Sequence, residues 1–223
     1  MSNFEINHSD FKQSDYDRLK LDFNVGPELK ITNKMLSNLQ FNYSKELLGG
    51  ENSILNNSIS LNFLNQVKPD LSILNNFSIG KTDYYDNSDY NSDVYFFQTK
   101  INKIYNRFNS NLSLKYSDID SNKNIHGNIK KKIQFDISTF INNGFFIDFT
   151  IGKEISDYNE YQPIFSKTRK DNLNFFSLDL WNDRFYFGSF YPKLSFIRRE
   201  NKSNINVYKT SSDSLSMYFI KDF

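Results

Sequence analysis

The sequence predicts an all-β fold, an antiparallel, up-and-down transmembrane β-barrel of about twelve strands (twelve to fourteen). Three observations predict it. Apolar and polar residues alternate from Leu19 nearly to the C-terminus. Several alternating runs reach about ten residues, the length a tilted strand needs to cross a bilayer. The last residue, Phe223, is an aromatic in step with the final alternating run.

The first run shows the pattern. Leu19, Leu21, Phe23, Val25, Pro27, Leu29 and Ile31 alternate with Lys20, Asp22, Asn24, Gly26, Glu28 and Lys30. Successive strand side chains point to opposite faces, so one face here is apolar and the other polar. The run is roughly twice as long as a usual globular strand.

Taken in order, the pattern predicts strands at Asp17–Thr32 and Leu36–Leu48, the latter through Leu39, Phe41, Tyr43 and Leu47. Gly49-Gly50 turns the chain into Ser53–Gln66 (Ile59, Leu61, Phe63). A Lys68-Pro69 break leads to Leu71–Thr82 (Leu71, Ile73, Phe77, Ile79), followed by a polar loop at Asp83–Asp93. Strands at Val94–Asn106 and Asn111–Ser117 come next, then a loop at Asp118–Gly127 and a strand at Asn128–Phe140. Asn142-Asn143-Gly144 is the strongest hairpin signal, because Asn and Gly tolerate the positive φ of tight turns. It opens Phe145–Ile155, with Phe145, Ile147, Phe149 and Ile151 on one face. After a loop at Ser156–Lys170 come Asn172–Trp181, an Asn182-Asp183 turn, Arg184–Arg199, Asn204–Lys209 and Ser214–Phe223. Short connections alternate in part with long ones, as barrels of the outer membrane require.

Composition agrees and excludes other classes. Tyr and Phe number 14 and 23, alanine and cysteine are absent, and this strand-and-turn vocabulary disfavours helices. A net charge of +1 without a basic stripe gives no reason to expect a nucleic-acid partner. A mean hydropathy of -0.62 disfavours helical membrane spans, while a barrel keeps half of each strand polar. Met1–Asp10 shows no basic n-region or apolar h-region. Residues 1–16 are therefore expected to be a leader, disordered or the remnant of an upstream domain, and residues 17–223 the barrel.

A soluble β-sandwich alternates just as cleanly, burying one face of each strand. Strand length argues against it. Lipid-facing polarity tests it further, since a Lys at the bilayer midplane costs on the order of 2–4 kcal/mol. Lys131 breaks the apolar face near a strand start, where it can reach the headgroups. Asn75 breaks it mid-strand, which either counts against the barrel or marks a bulge.

At the C-terminus Leu215, Met217, Phe219 and Phe223 share one face. This resembles the signal by which the outer-membrane barrel assembly machinery recognises its substrates. The segment from Gly188 to Phe223 carries more. Pro192 and Leu194, Arg198 and Arg199, Ser203-Asn204-Ile205, Tyr208 and Lys221-Asp222-Phe223 follow one another in that order. The path resembles the C-terminal barrel of the surface lipoprotein assembly modulator (modifier) family, in which Lys221 is the usual type of residue. Members of that family typically carry a signal peptide, a periplasmic helical-repeat domain and a slightly larger barrel, so the resemblance implies an isolated or truncated barrel. It implies a place in the bacterial outer membrane and assistance in delivering lipoproteins to the cell surface. The expected partners are outer-membrane lipid, the barrel assembly machinery and surface lipoprotein clients. A passive pore or orphan structural barrel, and a soluble β-sandwich binding module, are the alternatives.

No catalytic, cofactor or metal site is expected. The two histidines, His8 and His126, lie in a leader and a His-Gly turn and read as solvated. Asp83, Asp86, Asp89 and Asp93 lack the spacing of a Ca²⁺ loop and read as a solvated loop. Tyr84, Tyr85, Tyr90 and Tyr95 read as an interfacial aromatic girdle. Lys20, Asp22, Glu28 and Lys30 are expected to line the lumen and neutralise one another.

Overall fold

Alternating polarity over a dozen segments leaves the chain one economical solution, a single sheet with an apolar outside. The computed structural model describes residues 2–9, 17–141, 144–182, 184–186, 188 and 190–221. In it the chain forms one antiparallel meander of β1 (Ser2–Ser9), β2 (Arg18–Val25), β3 (Glu28–Thr32), β4 (Met35–Leu48), β5 (Glu51–Lys68), β6 (Leu71–Tyr84), β7 (Ser92–Tyr105), β8 (Phe108–Ser121), β9 (Asn128–Ile141), β10 (Phe145–Gln162), β11 (Lys167–Asn182), β12 (Phe190–Ser203) and β13 (Thr210–Lys221). Twelve strands lie on one path in chain order, with β3 beside it on β4. The path has two ends, β1 and β13, and no ladder joins them among the described residues.

The long first run divides where its residues demand. Pro27 has no N–H to donate, and a Cβ on Gly26 would lie 1.8 Å from the carbonyl oxygen of Leu39. The chain therefore leaves the ladder for two residues. Its register on β4 is unchanged across the break, with Val25 opposite Phe41 and Glu28 opposite Asn38. The apolar parity survives for the same reason.

Four sequence expectations need correction. Asn204–Lys209 is not a strand: a 3-10 turn at Asn206–Tyr208 connects β12 to β13. Arg184–Arg199 was expected as one strand, but the strand begins at Phe190 and runs on to Ser203. Most of the expected loop Ser156–Lys170 is strand, extended past a register shift at Asp157/Tyr161 and interrupted by a 3-10 turn at Pro163–Phe165. Asn75 marks no bulge. Its register with Phe63 and Thr99 is regular, and its amide oxygen accepts the Thr99 hydroxyl at 2.8 Å. A polar pair that satisfies itself costs an apolar surface much less than a lone amide.

Within the expected leader, Ser2–Ser9 pairs with β2, Ser9 opposite Arg18 and Ser2 opposite Val25. Asn142 and Asn143 of the hairpin signal, Asp183 of the expected turn, and Asp222 and Phe223 at the C-terminus lie outside the described residues.

Among the described residues no core of ordinary type forms. Ile205 is the one buried apolar residue among the described residues, whereas Ile59, Ile79, Leu29 and Leu215 are 59%, 62%, 61% and 69% exposed. A sandwich would bury one of its faces; this sheet instead presents its apolar face outward and its polar face inward. Outward residues along one hydrogen-bonded rung run Leu114, Ile133, Lys153, Asn174, Glu200. The rung leaves the apolar band because the strands of a barrel lean relative to its axis.

The two rims differ. Tight turns at Asn33-Lys34, Pro69-Asp70 and Asn106-Arg107 form one of them. The 3-10 turns at Ser88–Tyr90, Pro163–Phe165 and Asn206–Tyr208 belong to the longer connections of the other. By the rule that short turns of an outer-membrane-type barrel are periplasmic, the rim where β13 ends is called the periplasmic rim and that of the 3-10 turns the outer rim.

Candidate functional site

Strand register decides which side chains share the inner wall. The residues on β4 to β8 give it an amide and hydroxyl lining. Asn42 donates to the hydroxyls of Ser58 and Ser60 at 3.1 and 3.0 Å, Thr82 donates to Asn56 at 2.7 Å, and Gln98 donates to Ser113 at 2.9 Å. Asn76 donates to Asn62, which in turn donates to Gln40 at 3.4 Å. Neighbouring short polar groups satisfy one another there, which leaves this part of the wall wettable.

The inner wall carries charges as well. Lys20 and Asp22 form an ion pair at 2.9 Å, and Arg18 pairs with Glu46. The expected neutralisation at this end of the wall is therefore present in part. Lys193 and Asp179 pair at 2.9 Å near the periplasmic rim. Beside them Phe146 stacks on Trp181, with centroids 5.1 Å apart and planes 4° from parallel, and the Lys193 ammonium lies 5.0 Å from the Trp181 ring.

At the outer rim, residues far apart in sequence meet. The Arg169 guanidinium lies 3.5 Å from the Tyr208 ring centroid and 4.4 Å from that of Tyr158, and its Nε donates to Asp171 at 2.9 Å. Phe165 meets Tyr208 edge-on at 5.9 Å. Tyr158, Phe165, Arg169 and Tyr208, together with Ile125, His126 and Gln162, line a pocket of 190 Å³. His126 is half-buried and stacks on Tyr90 at 4.1 Å, which corrects its expected solvation. Tyr84 meets Tyr90 at 5.7 Å, while Tyr95 faces outward as a girdle residue would. Asp89 pairs with Lys123 at 3.1 Å and Asp93 with Lys81 at 3.4 Å.

The residues of the expected C-terminal pattern occupy two places. Pro192, Leu194 and Arg198 stand on the outer face of β12, opposite Phe219, Met217 and Asp213 of β13, and Phe196 stands opposite Leu215. Leu215, Met217 and Phe219 are thus outward and exposed on the last strand. Arg199 faces inward opposite Phe175, and Lys221 pairs through its backbone with Phe190. Ser203, Asn204, Ile205 and Tyr208 build the β12–β13 connection. The Asn204 side chain accepts from the Lys170 N–H and donates to the Thr168 carbonyl, both at 2.8 Å. The Ser203 hydroxyl accepts from the Ile205 N–H at 3.2 Å, the Ile205 side chain is 4% exposed, and the Tyr208 carbonyl accepts from Asn201 at 2.7 Å. Ser-Asn-Ile is therefore a clamp that fastens one outer connection to β11.

This C-terminal pattern sits inside a match of much greater extent. A family model described as surface lipoprotein assembly modifier matches residues 8–223. The chain belongs to the surface lipoprotein assembly modifier family. No curated protein matches this modifier chain. Among solved structures, the siderophore receptor PirA from Pseudomonas aeruginosa is similar over 100% of this chain and 41% of the receptor, with a TM-score of 0.59 and 11% identity. The chain thus spans about two fifths of that receptor's length, and the likeness is one of fold. A bacterial polysaccharide outer membrane secretin covers 93% of this chain and 79% of its own, with 9% identity and a TM-score of 0.41. Family membership and the receptor-like fold make the modifier chain an outer-membrane barrel, and the Ser-Asn-Ile clamp and the outward edge of Leu215, Met217 and Phe219 are features of its own geometry.

Sequence reasoning missed Arg169, Tyr158, Gly152, Phe175 and Trp181. No linear spacing joins them. The one available signal was chemical: Phe175 and Trp181 share the inward parity of the polar Asp171, Ser177 and Asp179.

Proposed function

We propose that this barrel assists the delivery of lipoproteins to the bacterial cell surface by binding and passage, without covalent chemistry. Membership of the modifier family is the observation that carries this reading. The barrel assembly machinery would insert the protein, guided by the outward Leu215, Met217 and Phe219 near its C-terminus and by Phe223. Surface lipoproteins would be the clients, and outer-membrane lipid the solvent of the apolar face.

The seam between β1 and β13 is the place for client contact. Unpaired backbone groups in hydrocarbon cost several kcal/mol each, so the two edges must pair with each other or with a strand that replaces one of them. β1 follows β2 only from Arg18 to Val25, while β3 continues on β4 beyond it. The chain contains no cysteine, so cysteines placed along Ser2–Ser9 and along Leu215–Phe219 can be oxidised on a silent background. Crosslinking across the seam should abolish surface exposure of the lipoprotein, read by protease accessibility on whole cells. Full exposure with the crosslink formed would overturn opening at this seam.

A further inference from the structure

One part of the inner wall gathers like charges without matching them. Lys115 of β8 lies directly opposite Lys132 of β9, and Lys132 lies opposite Glu154 of β10. The adjacent rung runs Lys100, Ser113, Gln134, Gly152, Phe175, Arg199 across six strands. Lys130 faces inward one rung to the other side, opposite Ser117 and Ser156. Four other inward cations have an acid in contact, in the pairs Arg18–Glu46, Lys20–Asp22, Arg169–Asp171 and Lys193–Asp179. Lys100, Lys115, Lys130, Lys132 and Arg199 have none within 4.0 Å among the described residues. The carboxylates beside them are Glu154 and Asp136, and one Asp136 oxygen already accepts from Gln134 and Thr150, both at 2.8 Å. Five cations thus face two acids.

Like charges directly opposite on an antiparallel pair destabilise a sheet. The wall nevertheless holds this arrangement in place. A Cβ on Gly152 would fall 2.1 Å from Phe175 Cζ, so only the bare glycine lets the Phe175 ring lie across β10. The ring reaches Lys132, whose ammonium sits 4.4 Å from its centroid. Phe175 thereby holds one cation in the middle of the group, between Lys115 and Arg199. An anion in the lumen relieves the repulsion, and a positively lined constriction concentrates anions over cations.

We propose that the lumen is an anion-selective conduit, with Lys115, Lys132 and Arg199 as its selectivity element and Lys100 and Lys130 as its approaches. The substrate class is small anions, and chloride is the probe. This inference stands independently of the lipoprotein reading, since it rests on the inner wall and not on the seam.

The whole protein, purified in detergent from outer membranes, is inserted into planar bilayers under a potassium chloride gradient. The reversal potential should show chloride favoured severalfold over potassium. The double variant K115E/K132E should reverse the preference, and Lys131→Gln, on the outer face, should leave it unchanged. Heat-modifiable migration on gels reports which variants are folded. Absence of conductance overturns the proposal. So does a cation preference in the wild type, or an unaltered preference in folded K115E/K132E. A single-site variant, Arg199→Gln, should weaken the preference without reversing it, and keeps the test decisive where the double variant fails to fold.

Discussion

Three residues show how a single position acts where the described residues form almost no apolar core. Gly152 has the clearest role, because the Phe175 ring occupies the place of its missing side chain. Gly152→Val should destabilise the barrel by about 1–3 kcal/mol through overpacking, seen as a lower temperature for loss of heat-modifiable migration. Asn204 clamps the outer connection through the Lys170 N–H and the Thr168 carbonyl. Asn204→Ala leaves both to water and should cost about 0.5–1.5 kcal/mol, with faster proteolysis of the β12–β13 connection as the local sign. Asp70, in the periplasmic turn after β5, accepts from the Lys103 ammonium, and that hydrogen bond holds its carboxyl below the usual carboxylate range. A lowered folded-state pKa adds stability that is complete above the unfolded value and is lost as pH falls through the folded one. The effect at this exposed turn is small, and Asp70→Asn should remove it, flattening the acid end of a stability-against-pH curve.

Each strand of this protein does two jobs, one on each face. β6 makes the point with neighbours: Phe77 faces outward, 47% exposed and 4.8 Å from Phe97, while Ser78 faces inward opposite Ser60. Phe77→Lys should cost on the order of 2–4 kcal/mol if the position is near the bilayer midplane, and assembled barrel in the outer membrane should fall. Ser78→Lys, one residue on, meets the water-filled side and should assemble at nearly the wild-type level. Equal losses from both would mean that β6 does not separate lipid from lumen. The first alternating run behaves as one strand interrupted at Gly26-Pro27, because its register on β4 continues across the break. The expected strand at Asn204–Lys209 fails for a physical reason. Asn204 and Ile205 turn into the rim, one clamped by side-chain hydrogen bonds and one buried, and the next three residues close a 3-10 turn.

For the whole molecule, stability comes from the solvent the sheet faces. With Ile205 the one buried apolar residue among those described, burial in water contributes little, and the exposed apolar face must be covered by lipid. The chain should therefore aggregate in detergent-free buffer and refold on addition of detergent or lipid vesicles, as followed by sedimentation and heat-modifiable migration. A stable monomer in buffer would contradict the barrel. Much of this architecture was legible beforehand. Period two is a local property of each strand, so Leu19–Ile31, Leu71–Thr82 and Phe145–Ile155 declared their faces without reference to a neighbour. The C-terminal residues from Pro192 to Tyr208 pointed to the family for the same reason, being contiguous in the chain. Tertiary structure alone decided that Ser2–Ser9 joins the sheet, that Arg169 lies between Tyr158 and Tyr208, and that Lys115 faces Lys132. Those contacts depend on register between separate strands, and a one-residue slip would send every one of these side chains to the opposite face.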